Sequence, residues 1–264
     1  MAEFPTIVAL IPARAGSKRV QGKNIRRLGE HPAIAYTIAA ALQSGIFSAV
    51  IVSTDSEAIA QIARHYGADV PFLRPAQYAA DQSPDIEWID YTLRRLQQEG
   101  RNFDCFSILR PTSPFRLPET IQRAWSAFLA QEGIDSLRAV EKCSQHPGKM
   151  WRIQGDRMKP LLAGLEPIFT DTPPETPWHS TPYQALPLVY VQNASLEIAW
   201  SRVVLEQGTI AGETLMPFLT QGYEGFDIND LKDWWYAEYL LAQGEAQLPT
   251  VPQVSFQDDE TREP

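Results

Sequence analysis

The sequence has little of what builds disulfide scaffolds or metal centres. It holds two cysteines, Cys105 and Cys143, and four scattered histidines, His31, His65, His146 and His179, in 264 residues. No CxxC pair and no His/Cys cluster at ligand spacing occurs, which argues against a zinc site. Both cysteines read as reduced, buried small residues. No apolar run approaches the ~20 residues of a membrane span. The opening Met1-Ala2-Glu3-Phe4-Pro5 lacks the basic-then-apolar order of a secretory leader. The expectation is a soluble, cytoplasmic protein. Surplus positive charge is missing as well: 23 Lys+Arg stand against 32 Asp+Glu, a net charge of −9. That excludes a protein that coats nucleic acid, whose affinity rests on many phosphate contacts. With 44% hydrophobic and 21% charged residues, wholesale disorder is excluded too.

One stretch breaks the acidic balance. Arg14, Lys18, Arg19, Lys23, Arg26 and Arg27 fall within fourteen residues that contain no acid. The surrounding pattern gives the cluster a place. Apolar runs at 6–11, 49–53, 70–73, 103–109 and 136–140 read as buried strands. Helical spacing occupies 33–44, about 56–66, 84–99 and 118–131, with Gly45 and Gly67 as stops, Asp55 or Ser56 as a cap, and Pro118 in a first turn. Strand and helix alternate over short connections, which predicts a doubly wound, mostly parallel α/β sheet. Ligands of such sheets bind outside the carboxyl ends of the strands. Pro12–Arg14, Thr54-Asp55, Arg74 and Arg110–Thr112 each follow a strand and are expected to line one crevice.

Seven of the 21 prolines lie between Pro160 and Pro187, so helix and central strand are improbable there. Regular structure is expected to resume with a strand at 188–200, a short helix, a strand near 215–219 and an amphipathic helix at about 230–242. The organisation expected is a single domain over 1–245 with an excursion at about 143–187, then a loose acidic tail at 246–264.

The basic stretch, Ile11-Pro-Ala-Arg-Ala-Gly-Ser-Lys18 through Gly22-Lys23-Asn24, is neither a P-loop nor a GxGxxG turn. Gly16 and Gly22 would permit close backbone approach, and N–H groups around Gly16-Ser17 would cradle phosphate oxygens. Arg14, Lys18 and Lys23 would neutralise a triphosphate, and Asn24 would meet a base or sugar edge.

This order of residues resembles the acylneuraminate cytidylyltransferases, or CMP-sialic acid synthetases. Four further stretches agree in sequence order: Val52–Asp55; Phe72–Pro75 with Ala79–Asp81; Leu109–Arg116; and Gly225–Asn229 with Asp233 and Ala237-Glu238. The resemblance spans about 6–241 and is poor across 160–187. It implies attack by the anomeric hydroxyl of an α-keto acid sugar on the α-phosphate of CTP, release of pyrophosphate, Mg²⁺ as the metal, and a homodimer built through the Pro-rich excursion. It assigns catalysis to Arg14, Lys23 and Asp227. The nucleotide would meet Ala13, Arg14, Gly16, Ser17, Lys18, Lys23, Asn24, Arg74, Asp81 and Ser83, and the metal Asp227 and Asn229.

Three departures fall in the remaining half of the site. Asn229 stands where the family has a second acid; on a strand, 227 and 229 would share a face. Arg110 replaces a usual Gln, and would grip the sugar carboxylate, select a different sugar, or pair with a neighbouring acid. Asn193-Ala194 replaces Asn-Gly, ahead of Glu197, an acid on an apolar strand that is either paired or near ligand. The sugar set is Arg110, Thr112, Ser113, Gln192, Asn193 and Glu197, pointing to a divergent acceptor of legionaminic or pseudaminic type. Two alternatives stay open: another NTP with a sugar 1-phosphate, and a non-catalytic nucleotide binder.

Overall fold

The first apolar run becomes the central strand. In the computed structural model, which describes residues 4–16, 20, 22–162 and 176–256, Ile7–Pro12 (β1) lies between Ala49–Ser53 (β2) and Cys105–Ile108 (β3), parallel to both. Its side chains alternate between two cores, as a strand's period of two requires. Ile7, Ala9 and Ile11 join residues of Ala33–Ser44 (α1), Glu57–His65 (α2) and Pro118–Ala130 (α4). Val8 and Leu10 join those of Asp85–Gln98 (α3) and Ser201–Leu205 (α5). Ser136–Lys142 (β4), Tyr190–Trp200 (β5) and Leu215–Leu219 (β6) complete a six-stranded sheet in the order β6-β4-β5-β3-β1-β2. β5 runs antiparallel to β3, with Glu197 opposite Ile108. The fold is the expected doubly wound, mostly parallel α/β sheet. Its strand order reverses at β1, where such sheets open a crevice.

Local chemistry sets the boundaries. α1 stops at Gly45, whose φ of 68° is the left-handed conformation glycine supplies without strain. The Ser56 side chain accepts the Ile59 N–H and starts α2. The expected strand at 70–73 does not form: only an isolated bridge joins Asp69 to Ile51. Pro71 has no N–H to extend the ladder, which explains the single rung.

Among the described residues no helix is long and apolar enough to cross a membrane. By contact density the chain divides into a unit of Met1–Ala139 with Asn193–Pro264 and a unit of Val140–Gln192. Within the second, Trp151–Gln154 and Arg157–Pro160 form an antiparallel hairpin that the sequence reading left out. Gly155, at φ 63°, occupies its two-residue turn. The tail is not loose as far as 256. The Phe256 N–H donates to the Tyr66 hydroxyl, Gln253 donates to the Tyr66 carbonyl, and Val251 packs on the core. Both cysteines are free; Cys105 is buried, whereas Cys143 is only half-buried.

The last helix, Leu231–Ala242 (α6), is docked by Trp234, which is fully buried among Leu28, Tyr36 and Phe115. Its indole N–H donates to Glu238, and the Arg26 guanidinium lies 4.8 Å above the ring. Trp234 therefore ties α6 to the basic stretch. Trp234→Ala is expected to cost about 3–5 kcal/mol, a fall of about 10 °C in Tm for a domain of this size; thermal unfolding followed by circular dichroism checks it.

Candidate active site

The loops after β1 and β3 and the segment before α6 enclose a cavity of about 450 Å³. From the nucleotide set, Arg14, Lys23, Asn24, Arg74, Asp81 and Ser83 line it; from the sugar and metal sets, Arg110, Thr112, Asp227 and Asn229. Ala13, Gly16, Ser113, Asn193 and Glu197 do not reach the wall. Ser17 and Lys18 lie outside the described residues, and Gln192 belongs to the second unit. Thr54-Asp55 also stays off the wall: Asp55 instead accepts the Ala15 N–H at 2.8 Å and holds the loop after β1.

Within the basic stretch, Gly22 has φ 61° and a conformational reason to be glycine. Gly16 does not; a Cβ there would meet nothing within 4 Å. Asn24 is buried and donates from its side chain to the Arg14 carbonyl at 3.2 Å, fixing the loop. Arg14 pairs with Asp81 at 2.9 Å. Ser83 donates to the Gln77 carbonyl at 2.9 Å. Arg74 donates to the Ser53 hydroxyl and carbonyl and lies over Trp88. Burial lowers its pKa to about 10, so it stays charged near neutrality.

The acidic end is built by an irregular segment, not by a strand. Residues 226–229 are irregular, so the shared-face expectation for Asp227 and Asn229 fails. What unites them is the approach to α6. Asp230 caps that helix, and the Asp233 side chain accepts the N–H groups of Asn229 and Asp230. This capping box turns the preceding residues into the cavity. The Asn229 amide donates to Asp227 Oδ2 at 2.7 Å, while Asp227 Oδ1 is buried without a partner among the described residues. Lys23 Nζ donates to the Ile228 carbonyl at 2.8 Å, and the Ile228 N–H donates to the Thr112 carbonyl at 2.8 Å. Lysine, carboxylate and the β3 loop are thereby locked together.

At the opposite wall, one amino group of Arg110 donates to Asp85 at 2.7 Å and to Glu197 at 2.8 Å. Glu197 also pairs with Arg138, both buried. Asn193 serves the backbone, accepting the Ser195 N–H at 3.2 Å. Asp85, at the start of α3, and Trp88 line the cavity and were missed by the sequence reading. The signal for Asp85 was an acid in the first turn of a helix that follows the Leu-Arg-Pro segment. Arg116 is completely buried. It donates to the carbonyls of Ser195 and Arg110 and to Thr37, and burial lowers its pKa to about 9.

Comparisons with known proteins give the family and the fold. The cytidylyltransferase family model matches residues 8–138. The CMP-N,N'-diacetyllegionaminic acid synthase of Legionella pneumophila is 38% identical over 89% of this chain and 96% of its own length. The N-acylneuraminate cytidylyltransferase of Escherichia coli is 47% identical over 57% of this chain, but over only 34% of its own length. A solved structure of CMP:2-keto-3-deoxy-manno-octonic acid synthetase complexed with CTP matches with a TM-score of 0.63 at 12% identity, over 90% of this chain and 99% of that one, a likeness of fold. The chain belongs to the CMP-nonulosonic acid synthetase family and is a cytidylyltransferase.

Proposed function

We propose that the enzyme transfers the cytidylyl group of CTP to the anomeric hydroxyl of a nonulosonic acid of legionaminic type. The sugar oxygen forms a bond to the α-phosphorus, the anhydride bond to the β-phosphate breaks, pyrophosphate leaves, and the hydroxyl proton is lost. The observation that carries this reading is the meeting of Arg14, Lys23 and Asp227 in one cavity, at the carboxyl end of the central strand. The likeness to the Legionella enzyme over 96% of its length supports the choice of acceptor.

Phosphoryl-type transfer asks for positioning and charge stabilisation more than covalent help. Arg14 and Lys23 hold the phosphates and stabilise the departing pyrophosphate. A phosphate at Arg14 competes with Asp81, so nucleotide binding exchanges that ion pair. Asn24, Arg74 and Ser83 shape the nucleotide end.

The residues present fit Mg²⁺. Asp227 Oδ1 is an orphaned buried oxygen, and Asn229 adds a neutral oxygen donor. Among the described residues no cluster of three or more acidic, His or Cys groups gathers. A hard cation here would take its remaining ligands from phosphate and water, as Mg²⁺ does. When bound, it would neutralise charge on the triphosphate.

The domain reading proposed is one catalytic domain whose excursion, about 143–187, pairs two copies in the cytoplasm. The hairpin at 151–160 leaves Ile153 and Met158 largely exposed, at 77% and 57%, and such apolar surface is suited to an interface. The double substitution Ile153→Asp with Met158→Asp is expected to convert dimer to monomer in analytical ultracentrifugation; a mass unchanged from wild type counts against the pairing.

The deciding assay combines purified protein, Mg²⁺, each of four NTPs and a panel of nonulosonic acids, with products read by mass. A CMP-sugar and pyrophosphate are expected with CTP alone. The replacement of an acid by Asn229 favours a second reading, nucleotide binding without turnover, which the absence of pyrophosphate release with every acid would support.

A further inference from the structure

Strand alternation collects an unusual set of charges on one face of the sheet. Leu137 and Ala139 face one core, so Arg138 between them faces the other; Leu196 and Ile198 do the same for Glu197. That second face is otherwise apolar, covered by α3. Glu197 stands opposite Ile108 in the β3–β5 ladder, two residues before Arg110, within diagonal reach of a long side chain. Asp85, at the start of α3, closes the group from the rim.

The anchoring is one-sided. Both carboxylates bond the same amino group of Arg110, at 2.7 and 2.8 Å. Its Nε and its second amino group take no hydrogen bond among the described residues, and its side chain is 24% exposed at the cavity wall. Behind it, Glu197 is held by Arg138, whose guanidinium also donates to the Ile210 carbonyl at 2.6 Å. The other oxygen of Asp85 accepts the Trp88 indole N–H at 2.7 Å. Every group on the far side is fixed, and the second amino group of the cation is left over.

We propose that Glu197 and Arg138 are positioning residues that hold Arg110 by one amino group, so that its other amino group presents fixed, charged N–H donors to the carboxylate of the sugar. The inference rests on the proposed function and identifies how that site chooses its acceptor. A carboxylate accepts a charge-assisted hydrogen bond from that second amino group. A sugar 1-phosphate brings a second negative charge toward Asp85 and Glu197, and is disfavoured by like-charge repulsion. Two guanidinium groups and two carboxylates sum to zero, so the wall selects by where its free donor stands rather than by bulk positive charge.

The test uses full-length enzyme, Mg²⁺ and CTP with a nonulosonic acid accepted by the wild type, alongside its carboxamide as a competing ligand. Glu197→Gln keeps the shape and removes the charge. The double substitution Arg138→Leu with Glu197→Leu removes the buried pair together, in case a lone charge prevents folding. Both are expected to raise the sugar KM about tenfold and to shrink the preference for carboxylate over carboxamide by a similar factor, while the CTP KM stays within about twofold. Glu197→Asp is expected to recover part of the preference. An unchanged carboxylate preference in folded variants overturns the proposal, as does a parallel loss in CTP KM and Tm, the mark of a merely structural pair. Failure of the wild type to release pyrophosphate with every acid overturns the proposed function instead.

Discussion

Asp227→Ala is expected to lower turnover about a thousandfold at saturating CTP and Mg²⁺, the loss of several kcal/mol of charge stabilisation. Two observations make this residue, and not the neighbouring acids, the one to remove. Asp230 and Asp233 are consumed by the start of α6, where they bond backbone N–H groups at 2.7–3.2 Å. Asp227 bonds only Asn229 through one oxygen and buries the other without a partner among the described residues. A carboxylate with an unsatisfied buried oxygen is costly unless a cation or donor arrives. Its removal is therefore expected to leave Tm near wild type, whereas Asp230→Ala should cost about 1 kcal/mol through the lost cap. CTP affinity is expected to fall less than turnover, because Arg14 and Lys23 remain. The checks are steady-state pyrophosphate release over a Mg²⁺ titration and thermal unfolding of the same preparation. Activity within tenfold of wild type would remove Asp227 from the proposed metal site.

The same segment shows how far the sequence could be read. The strand at 49–53 was legible to the residue and the one near 215–219 in place, because short apolar runs between turn signals have few other uses in this fold. The 227–229 segment was misread through its spacing. An acid and an amide two apart suggest a strand face, yet Asp230 and Asp233 already spelled a capping box that places the helix start at 230 and leaves 227–229 as its approach. The hairpin at 151–160 lies just ahead of the proline-rich stretch and was read with it as an excursion, although Gly155-Asp156 between two four-residue runs is a turn signal. Val70–Leu73 has strand composition, but Pro71 vetoes the ladder. On the cavity wall, the basic stretch and the Arg110 loop were readable from residue order alone. The partners of Arg110 required register, since only the antiparallel pairing of β3 with β5 brings Glu197 alongside. Arg138 and Glu197 each sit between two core residues, a pattern visible in sequence whose meaning depends on which strands are neighbours.

Lys23→Met is expected to lower kcat about 10²–10³-fold, the usual cost of one well-placed charged donor. Its Nζ lies 2.8 Å from the Ile228 carbonyl, between the two residues of the metal set. That bond fixes the ammonium beside the segment carrying Asp227, so cation and carboxylate are presented to the triphosphate in one register. Two effects of the substitution must be separated. Loss of the charge weakens stabilisation of the departing pyrophosphate; loss of the hydrogen bond loosens the 227–229 segment. Lys23→Arg retains the charge while changing the donor geometry, so a partial recovery of kcat in that variant isolates the electrostatic part. The ratio of effects also locates the interaction on the reaction coordinate. If Lys23 acts on charge that develops as pyrophosphate leaves, kcat and kcat/KM for CTP fall together and KM changes little. If it only binds ground-state triphosphate, KM rises and kcat holds. Single-turnover measurement of CMP-sugar formation decides between them, because it reports the chemical step free of product release. The first pattern is expected: a lysine pinned by the protein's own carbonyl is already ordered before the phosphates arrive, so little of its interaction is spent on immobilising it.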